Sequence, residues 1–505
     1  MSATTNFLLF IAFPLLSAPI VYIIGRLYVR SDSQNKGNNP AKWLALLALI
    51  GSSIFLVFTT LNVFESGEAI YYTLGEIVLR FDGVSLLLAF LALTLGIMVT
   101  IYSFAYMEHE EGEEKFYALL IIMVGAISGL GCAVDLFNLW VWFELMAISS
   151  ILLVAFYRNQ PGSLEAGVKY LVQSAIGSIF VLIGLALIFL QVGTLNLESI
   201  RMSVSAPNAL LLVGGAFLVI GFGVKIALVP LHTWLPDAHS QAPSGISAML
   251  SGIVIEAGLI ALLRAFGGLA MGGNRWGYLL LGFAILNMVF GNLMALRQKE
   301  VKRILAYSSI SHVGYMLLGF GMMISFNSYL GGIGASFHMV THGLMKTLAF
   351  LAAGALLYNL HIVNGDHKPL IVDDLNGASK KYPFTVFAFS VAVLALGGLP
   401  PLAGFMSKWQ IFVAGAVTQN IWIIVLMVFA GLNSVLSLGY YAPLVNRMYR
   451  KVPGEILDQG KPVSIWMYIP MVLLTLSVVV LGIMPSLMYW LTVPACSSLF
   501  MFFTR

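Results

Sequence analysis

Seven ionisable residues stand inside long apolar runs of this 505-residue chain: Glu144, Lys225, Glu256, His338, His342, Lys346 and Lys408. Glu144 sits in Leu-Trp-Val-Trp-Phe-Glu-Leu-Met-Ala, with no other charge within a turn on either side. Burial without a partner disfavours a charged carboxylate, and a nearby lysine favours it. A Glu–Lys pair can therefore pass a proton as its separation or hydration changes, and Lys225 is the natural partner for Glu144. His338, His342 and Lys346 are spaced i, i+4, i+8, so one helix presents all three on one face. Neutral imidazole accepts at one nitrogen while donating from the other, which suits it to a proton relay. Two histidines at i, i+4 also suit a cation, but no third ligand is evident in that run. Glu256 lies between the Lys225 region and the histidine run, and Lys408 follows in Gly-Phe-Met-Ser-Lys-Trp-Gln.

Lesser candidates surround these. His232 and His239 flank a proline-rich interruption, where a polar group can simply satisfy freed backbone. His312 lies in a further apolar run. Asp135 reads equally as a helix cap or a functional carboxylate. Lys169 can snorkel to the membrane edge or modulate the Glu144–Lys225 pair.

The elements that must position these groups are membrane helices. The chain is 59% hydrophobic and 10% charged, with mean hydropathy +0.93. A soluble domain carries roughly a quarter charged residues, so most of this surface must face lipid. The net charge of +4 is too small and dispersed for nucleic acid. Cys132 and Cys496 show no metal-ligand spacing and support no disulfide. Residues 6–25 read as a retained helix rather than a signal peptide.

Fourteen spans are expected, near 6–25, 43–63, 82–105, 117–134, 136–157, 165–191, 209–230, 244–264, 277–296, 304–324, 330–357, 383–415, 419–446 and 465–490. Loops after odd-numbered spans hold 18 Lys and Arg residues, from Arg26 to Lys461 and including Lys36. Loops after even-numbered spans hold four: Arg80, Arg201, Arg264 and Arg275. Positive loops stay cytoplasmic, which places both termini on the outer face of the cell membrane. No long soluble segment divides the chain. The expectation is one membrane domain, with N-terminal helices in 1–116, a first repeat in 117–264, a second in 277–446, and a C-terminal loop and last helix in 447–505. Two spans look broken, at Val229-Pro230 and at Leu396-Gly-Gly-Leu-Pro400-Pro401, and each break lies close to a lysine. Interrupted spans at corresponding places in two halves point to an inverted repeat and a midplane pathway.

Over residues 75–450 the sequence resembles the antiporter-like subunits shared by respiratory complex I, Mrp-type sodium/proton antiporters and membrane-bound hydrogenases. Four stretches carry the resemblance: Asp135-Leu-Phe through Trp-Phe-Glu144; Lys225 through Pro230-Leu-His-Thr-Trp-Leu-Pro-Asp-Ala-His239; Lys302-Arg-Ile-Leu-Ala-Tyr-Ser-Ser-Ile-Ser-His312-Val-Gly-Tyr; and His338 to Lys346 followed by Pro400-Pro401, Gly404-Phe405 and Lys408. The resemblance implies an all-α membrane protein of fourteen core helices, with two inverted five-helix repeats and a broken helix in each. It implies a central axis in which Glu144 and Lys225 are the paired carboxylate and lysine, His338, His342 and Lys346 the relay, and Lys408 the terminal lysine. At the position of Glu256, relatives commonly carry lysine or histidine, so this chain departs from the family there.

The expected function is that of a proton-translocating subunit in a multi-subunit complex, with homologous membrane subunits as partners and protons, and as a second ion sodium, as cargo. No flavin, quinone or iron–sulfur motif is present, so no cofactor is expected. Two other readings stay open: a stand-alone secondary ion transporter, and a structural subunit whose proton path Glu256 impairs.

Overall fold

The computed structural model describes residues 3–31, 39–75, 77–108, 110–203, 208–270, 273–365, 368–451 and 455–503. Lys36 lies outside them. Fourteen helices are long and apolar enough to cross a membrane: Ala3–Arg30, Ala41–Ser66, Gly83–Tyr106, Glu113–Cys132, Leu136–Val154, Pro161–Val192, Ala209–Ile226, Ser244–Gly268, Arg275–Ala295, Val301–Phe326, Tyr329–Leu360, Ile421–Met448, Ile465–Ile483 and Pro485–Phe503. Strands Ile70–Leu74 and Ile77–Phe81 form one antiparallel hairpin between the second and third helices.

The set differs from the sequence expectation in two places. The span expected at 383–415 is two short helices, Pro383–Gly397 and Ala403–Val417. Beyond the expected last span, a further helix starts at Pro485. Its residues meet one end of the bundle throughout. Trp490 packs on Phe90, the backbone N–H of Gly83 donates to Ser498 Oγ at 3.1 Å, and Phe502 lies against Arg80 and Gly267. It thus folds back over that end instead of adding a crossing. The number of passes stays at fourteen, with the broken pair as the twelfth.

Passes four to eight and nine to thirteen form matching sets. In each set the fourth pass is broken, after Ile226 and after Gly397. The two sets begin five passes apart, at Glu113 and Arg275, so they start at opposite faces of the bundle and are inverted.

Each break frees backbone groups that lipid cannot satisfy. At the first, Ala227 is left-handed at φ 58 and Val229–Pro230 is cis. The indole of Trp234 donates to the Val224 carbonyl at 2.7 Å, and Asn287 Oδ1 accepts from the Val229 N–H at 2.9 Å. At the second, Gly398 has φ 82 and Pro400–Pro401 is cis. Lys408 Nζ donates to the Leu396 carbonyl at 2.9 Å and Ser434 Oγ to the Gly397 carbonyl at 3.2 Å. The two half-helices overlap so closely that a methyl at Gly404 would meet the Ala395 carbonyl oxygen at 1.8 Å.

The central helices are Ser244–Gly268, Val301–Phe326 and Tyr329–Leu360; the most apolar windows of the first and third are entirely buried. The first contains a π-helical turn, Leu250–Val254, just before Glu256. By contrast, only a third of the corresponding window of Pro161–Val192 is buried, which leaves that helix as an outer wall.

Candidate functional site

The three central helices bring Glu256 together with His312, His338 and His342, although these lie 56, 82 and 86 residues beyond it in the chain. Glu256 Oε1 lies 2.8 Å from His342 Nδ1, and both side chains are fully buried. The rings of His342 and His312 are 5.2 Å apart. His312 Nδ1 lies 3.1 Å from His338 Nε2, and His338 Nδ1 lies 2.8 Å from Ser407 Oγ. Ser407 donates to the Gly404 carbonyl at 3.2 Å, so its oxygen is free to accept from His338. Lys408 follows directly. Its ammonium binds Leu396 O and Ser434 Oγ (2.8 Å) and stands 4.7 Å above the Tyr315 ring.

The result is a buried line from Glu256 through His342, His312 and His338 to Ser407 and Lys408. His338 is bonded through both ring nitrogens, so reversing its tautomer reverses the direction of donation between His312 and Ser407, whereas His342 and His312 meet only as rings 5.2 Å apart and no hydrogen bond joins Ser407 to Lys408 among the described residues. Glu256 Oε2 and His342 Nε2 have no partner among the described residues, which leaves both ends of that bond open to a proton carrier. Lys346 branches from the line: its ammonium binds Leu305 O at 2.7 Å and Ser308 Oγ, both on the neighbouring helix Val301–Phe326.

The expected pair, Glu144 and Lys225, lies close enough to interact electrostatically, but among the described residues no hydrogen bond or ion pair within 4 Å joins the two. Lys225 Nζ donates instead to Tyr170 OH at 3.0 Å, and lies 4.2 Å from the centre of that ring. The reason is direction: Lys225 is in the last turn before the break and faces the helix Pro161–Val192. Tyr170 is stacked on Trp234 at 3.9 Å and bonded to Ser150 Oγ at 2.9 Å. Glu144 is half-buried near Ser178, whose oxygen accepts from the Trp140 indole at 2.8 Å. Its Oε1 is without a partner. Lys225 reaches the central line through packing: a methyl at Gly258, two residues from Glu256, would meet Lys225 Cβ at 3.3 Å.

The lesser candidates separate clearly. Asp135 is the N-cap of Leu136–Val154, accepting from the N–H groups of Phe137 and Asn138. Lys169 is half-exposed and pairs with Glu165 and Asp237, and Asp237 also pairs with Arg303 at 2.7 Å. That cluster ties the short helix Trp234–Gln241 to its neighbours. His232 is half-buried beside Tyr307. His239 is fully buried, stacked on Phe350, with both ring nitrogens unpartnered among the described residues.

Several contributing residues were not singled out by sequence. Tyr315 stands one turn from His312, a spacing that could have flagged it. Ser407 precedes Lys408, and Tyr170 carried no signal at all. Arg264, expected in a loop, is fully buried inside the helix Ile255–Gly268 and pairs with Asp82 at 2.8 Å. Lys302 is buried too, donating to Ala242 O at 2.5 Å.

Residues 133–434 match the family described as NADH:quinone oxidoreductase/Mrp antiporter, TM, and residues 75–117 match the N-terminus of complex I chain 5. The chain is 33% identical to the F(420)H(2) dehydrogenase subunit N of Methanosarcina mazei over 424 residues, 81% of this chain and 83% of the relative. It is 32% identical to the NADH-quinone oxidoreductase subunit N of Desulfitobacterium hafniense over 468 residues, 90% of this chain and 92% of the relative. Among solved structures, a chain of an archaeal membrane-bound sulfane sulfur reductase superposes with TM-score 0.86 at 29% identity, covering 99% of this chain and 98% of that one. A chain of the Mrp complex from Dietzia sp. DQ12-45-1b superposes with TM-score 0.85 at 22% identity, covering 99% and 98%, and shares the fold.

Proposed function

The chain belongs to the NADH:quinone oxidoreductase/Mrp antiporter membrane family, and from that premise we propose that it moves protons as an antiporter-like subunit of a multi-subunit membrane complex. The buried row from Glu256 to Lys408, hydrogen-bonded at Glu256–His342 and along His312–His338–Ser407, carries this reading. Protons are taken up near Glu144 and Lys225, pass to Glu256, cross through His342, His312 and His338, and leave by Lys408. Hard metal cations take oxygen ligands, whereas the line is mostly imidazole and ammonium, which favours protons over sodium as its cargo. Glu256 replaces a base by a carboxyl yet keeps a 2.8 Å bond to His342, which favours a conducting path over an impaired one.

In this reading the loops rich in Lys and Arg are cytoplasmic and both termini are outside. The first repeat, 117–264, supplies uptake and the second, 277–446, supplies release. Homologous membrane subunits are the partners, and the driving reaction belongs to them.

The intact complex in proteoliposomes tests the assignment through a pH-sensitive dye. Replacing His312 by Phe should lower proton transport at least tenfold while the complex still assembles. Transport at the native rate in His312→Phe would remove the line as the conductor.

A further inference from the structure

Protons that reach Glu256 are released past Lys408 only if they cannot leave directly along the helix that carries Glu256. Arg264 stands eight residues further along that helix, from 256 to 264, which is about 12 Å along its axis. Every residue between the two is fully buried, and Leu259, Ile260 and Leu263 are apolar. Arg264 thus lies at the end of the bundle covered by the helix that starts at Pro485, where Phe502 meets Gly267. In the topology proposed above, this is the outer end.

Arg264 enters a compact polar cluster there. Its Nη2 donates to Asp82 Oδ1 at 2.8 Å and to the Gly131 carbonyl at 2.5 Å. Arg80 donates to the other oxygen of Asp82, from Nη2 at 2.7 Å and from Nε at 3.1 Å. The Ser85 N–H donates to Asp82 Oδ1 at 3.0 Å, and its hydroxyl to the Gly131 carbonyl at 2.8 Å. One carboxylate therefore faces two guanidiniums, and among the described residues neither arginine has another ion-pair partner. One positive charge is left uncancelled. Phe502 covers the Arg80 guanidinium at 5.1 Å, and Arg201 stands 6.0 Å from the same ring.

These groups are poorly suited to handing on a proton. A guanidinium does not deprotonate in proteins. Burial alone would raise the Asp82 carboxyl, but Arg264 and Arg80 outweigh it and hold that carboxyl below its ordinary value, so it stays an anion. Lys408 differs, because a buried ammonium gives up its proton far more readily than a guanidinium. A fixed positive charge in a dry site also repels protons and cations, as an arginine does in water-selective pores. We propose that the Arg80–Asp82–Arg264 cluster is an electrostatic seal across the outer end of the first repeat, which leaves the histidines and Lys408 as the way out for protons on Glu256. The seal rests on the proton path proposed above.

The test is the passive proton leak of proteoliposomes holding the intact complex, with the driving reaction unsupplied. An enclosed pH-sensitive dye reads the leak after an imposed pH step. Arg264→Gln should raise the leak per complex at least tenfold. Arg264→Lys keeps the charge without the forked contacts and should stay as tight as the native complex. A native leak rate in assembled Arg264→Gln overturns the seal. An equal leak in Arg264→Lys also overturns it, because packing and not charge then closes this end. The leak should persist in Arg264→Gln/His312→Phe, since it bypasses the histidines; its disappearance there counts against the seal as well. Failure of the proton path itself reads out separately, as native driven transport in His312→Phe alone. If Arg264→Gln does not assemble, the native complex decides. Cys132, fully buried and next to Gly131, should stay unmodified by a charged, membrane-impermeant thiol reagent, as mapped by peptide mass spectrometry. Modification of Cys132 in the native complex means that water reaches the cluster, and the seal falls.

Discussion

At the first break the freed carbonyl of Val224 is taken by the Trp234 indole, whereas at the second the freed carbonyl of Leu396 is taken by the lysine itself. The two lysines are otherwise alike. Each is buried beside a break, and each lies over a tyrosine ring, Tyr170 at 4.2 Å or Tyr315 at 4.7 Å. The difference separates two tasks. Lys408 caps broken backbone and, in the proposed path, ends the proton line. Lys225 caps nothing; among the described residues its ammonium donates one hydrogen bond, to a side chain on another helix. An ammonium held by a fixed carbonyl keeps its place when its charge changes. One held by a tyrosine hydroxyl can exchange that partner for a carboxylate.

The largest expected contrast is therefore in stability. Lys408→Ala leaves the Leu396 carbonyl unsatisfied and should destabilise the detergent-solubilised protein by about 1–3 kcal/mol, read as a lower thermal midpoint. Lys225→Ala should change the midpoint far less, although both variants should lose proton transport in proteoliposomes. Equal destabilisation would erase the distinction between the two breaks.

Next in size is Trp234→Phe. It keeps a ring against Tyr170 but removes the indole donor, leaving the Val224 carbonyl only the 3.2 Å bond from the Ala227 N–H. A loss of about 1–2 kcal/mol in stability is expected with transport largely retained, so that the first break comes to resemble the second after loss of its cap. The smallest effect is that of Tyr170→Phe, which keeps the stacked ring and removes only the hydroxyl. Transport should change about fivefold, corresponding to ~1 kcal/mol on the barrier, with the thermal midpoint nearly unchanged. If Tyr170→Phe unfolds the protein, the tyrosine is a structural clamp and not the resting partner of Lys225.

The sequence shows the charges and the breaks because lipid makes both conspicuous: a charge such as Glu144 among aromatics, or Pro400-Pro401 inside an apolar run, is costly at that depth. It also shows that His338, His342 and Lys346 share a face, since helical spacing is local. Contacts between helices are another matter. His312 reads as one more isolated histidine, yet packing places it between His338 and His342. Opposite charge nominates Glu144 for Lys225, and the two do interact electrostatically, but the hydrogen bond from Lys225 to Tyr170 depends on the direction of the helix just before the break. Arg264 sits near the end of an apolar run, where a loop residue and a buried ion pair with Asp82 look the same. The helix after Pro485 escapes for a different reason. Hydropathy records how apolar a segment is, and the backward path over the end of the bundle is set by contacts with Phe90, Gly83 and Gly267.

The π-helical turn Leu250–Val254 gives the Glu256 bond an unexpected dependence on chain length. A π turn holds one residue more than the α turn it replaces, and each residue advances an α-helix by about 100°. Removing a single residue from that turn would restore a regular helix while altering no charged group. It would also swing everything beyond it around the axis, carrying the carboxyl away from His342. The Glu256–His342 bond of the proposed path is therefore encoded partly as a residue count, in a stretch, Leu-Ser-Gly-Ile-Val, that contains no ionisable side chain.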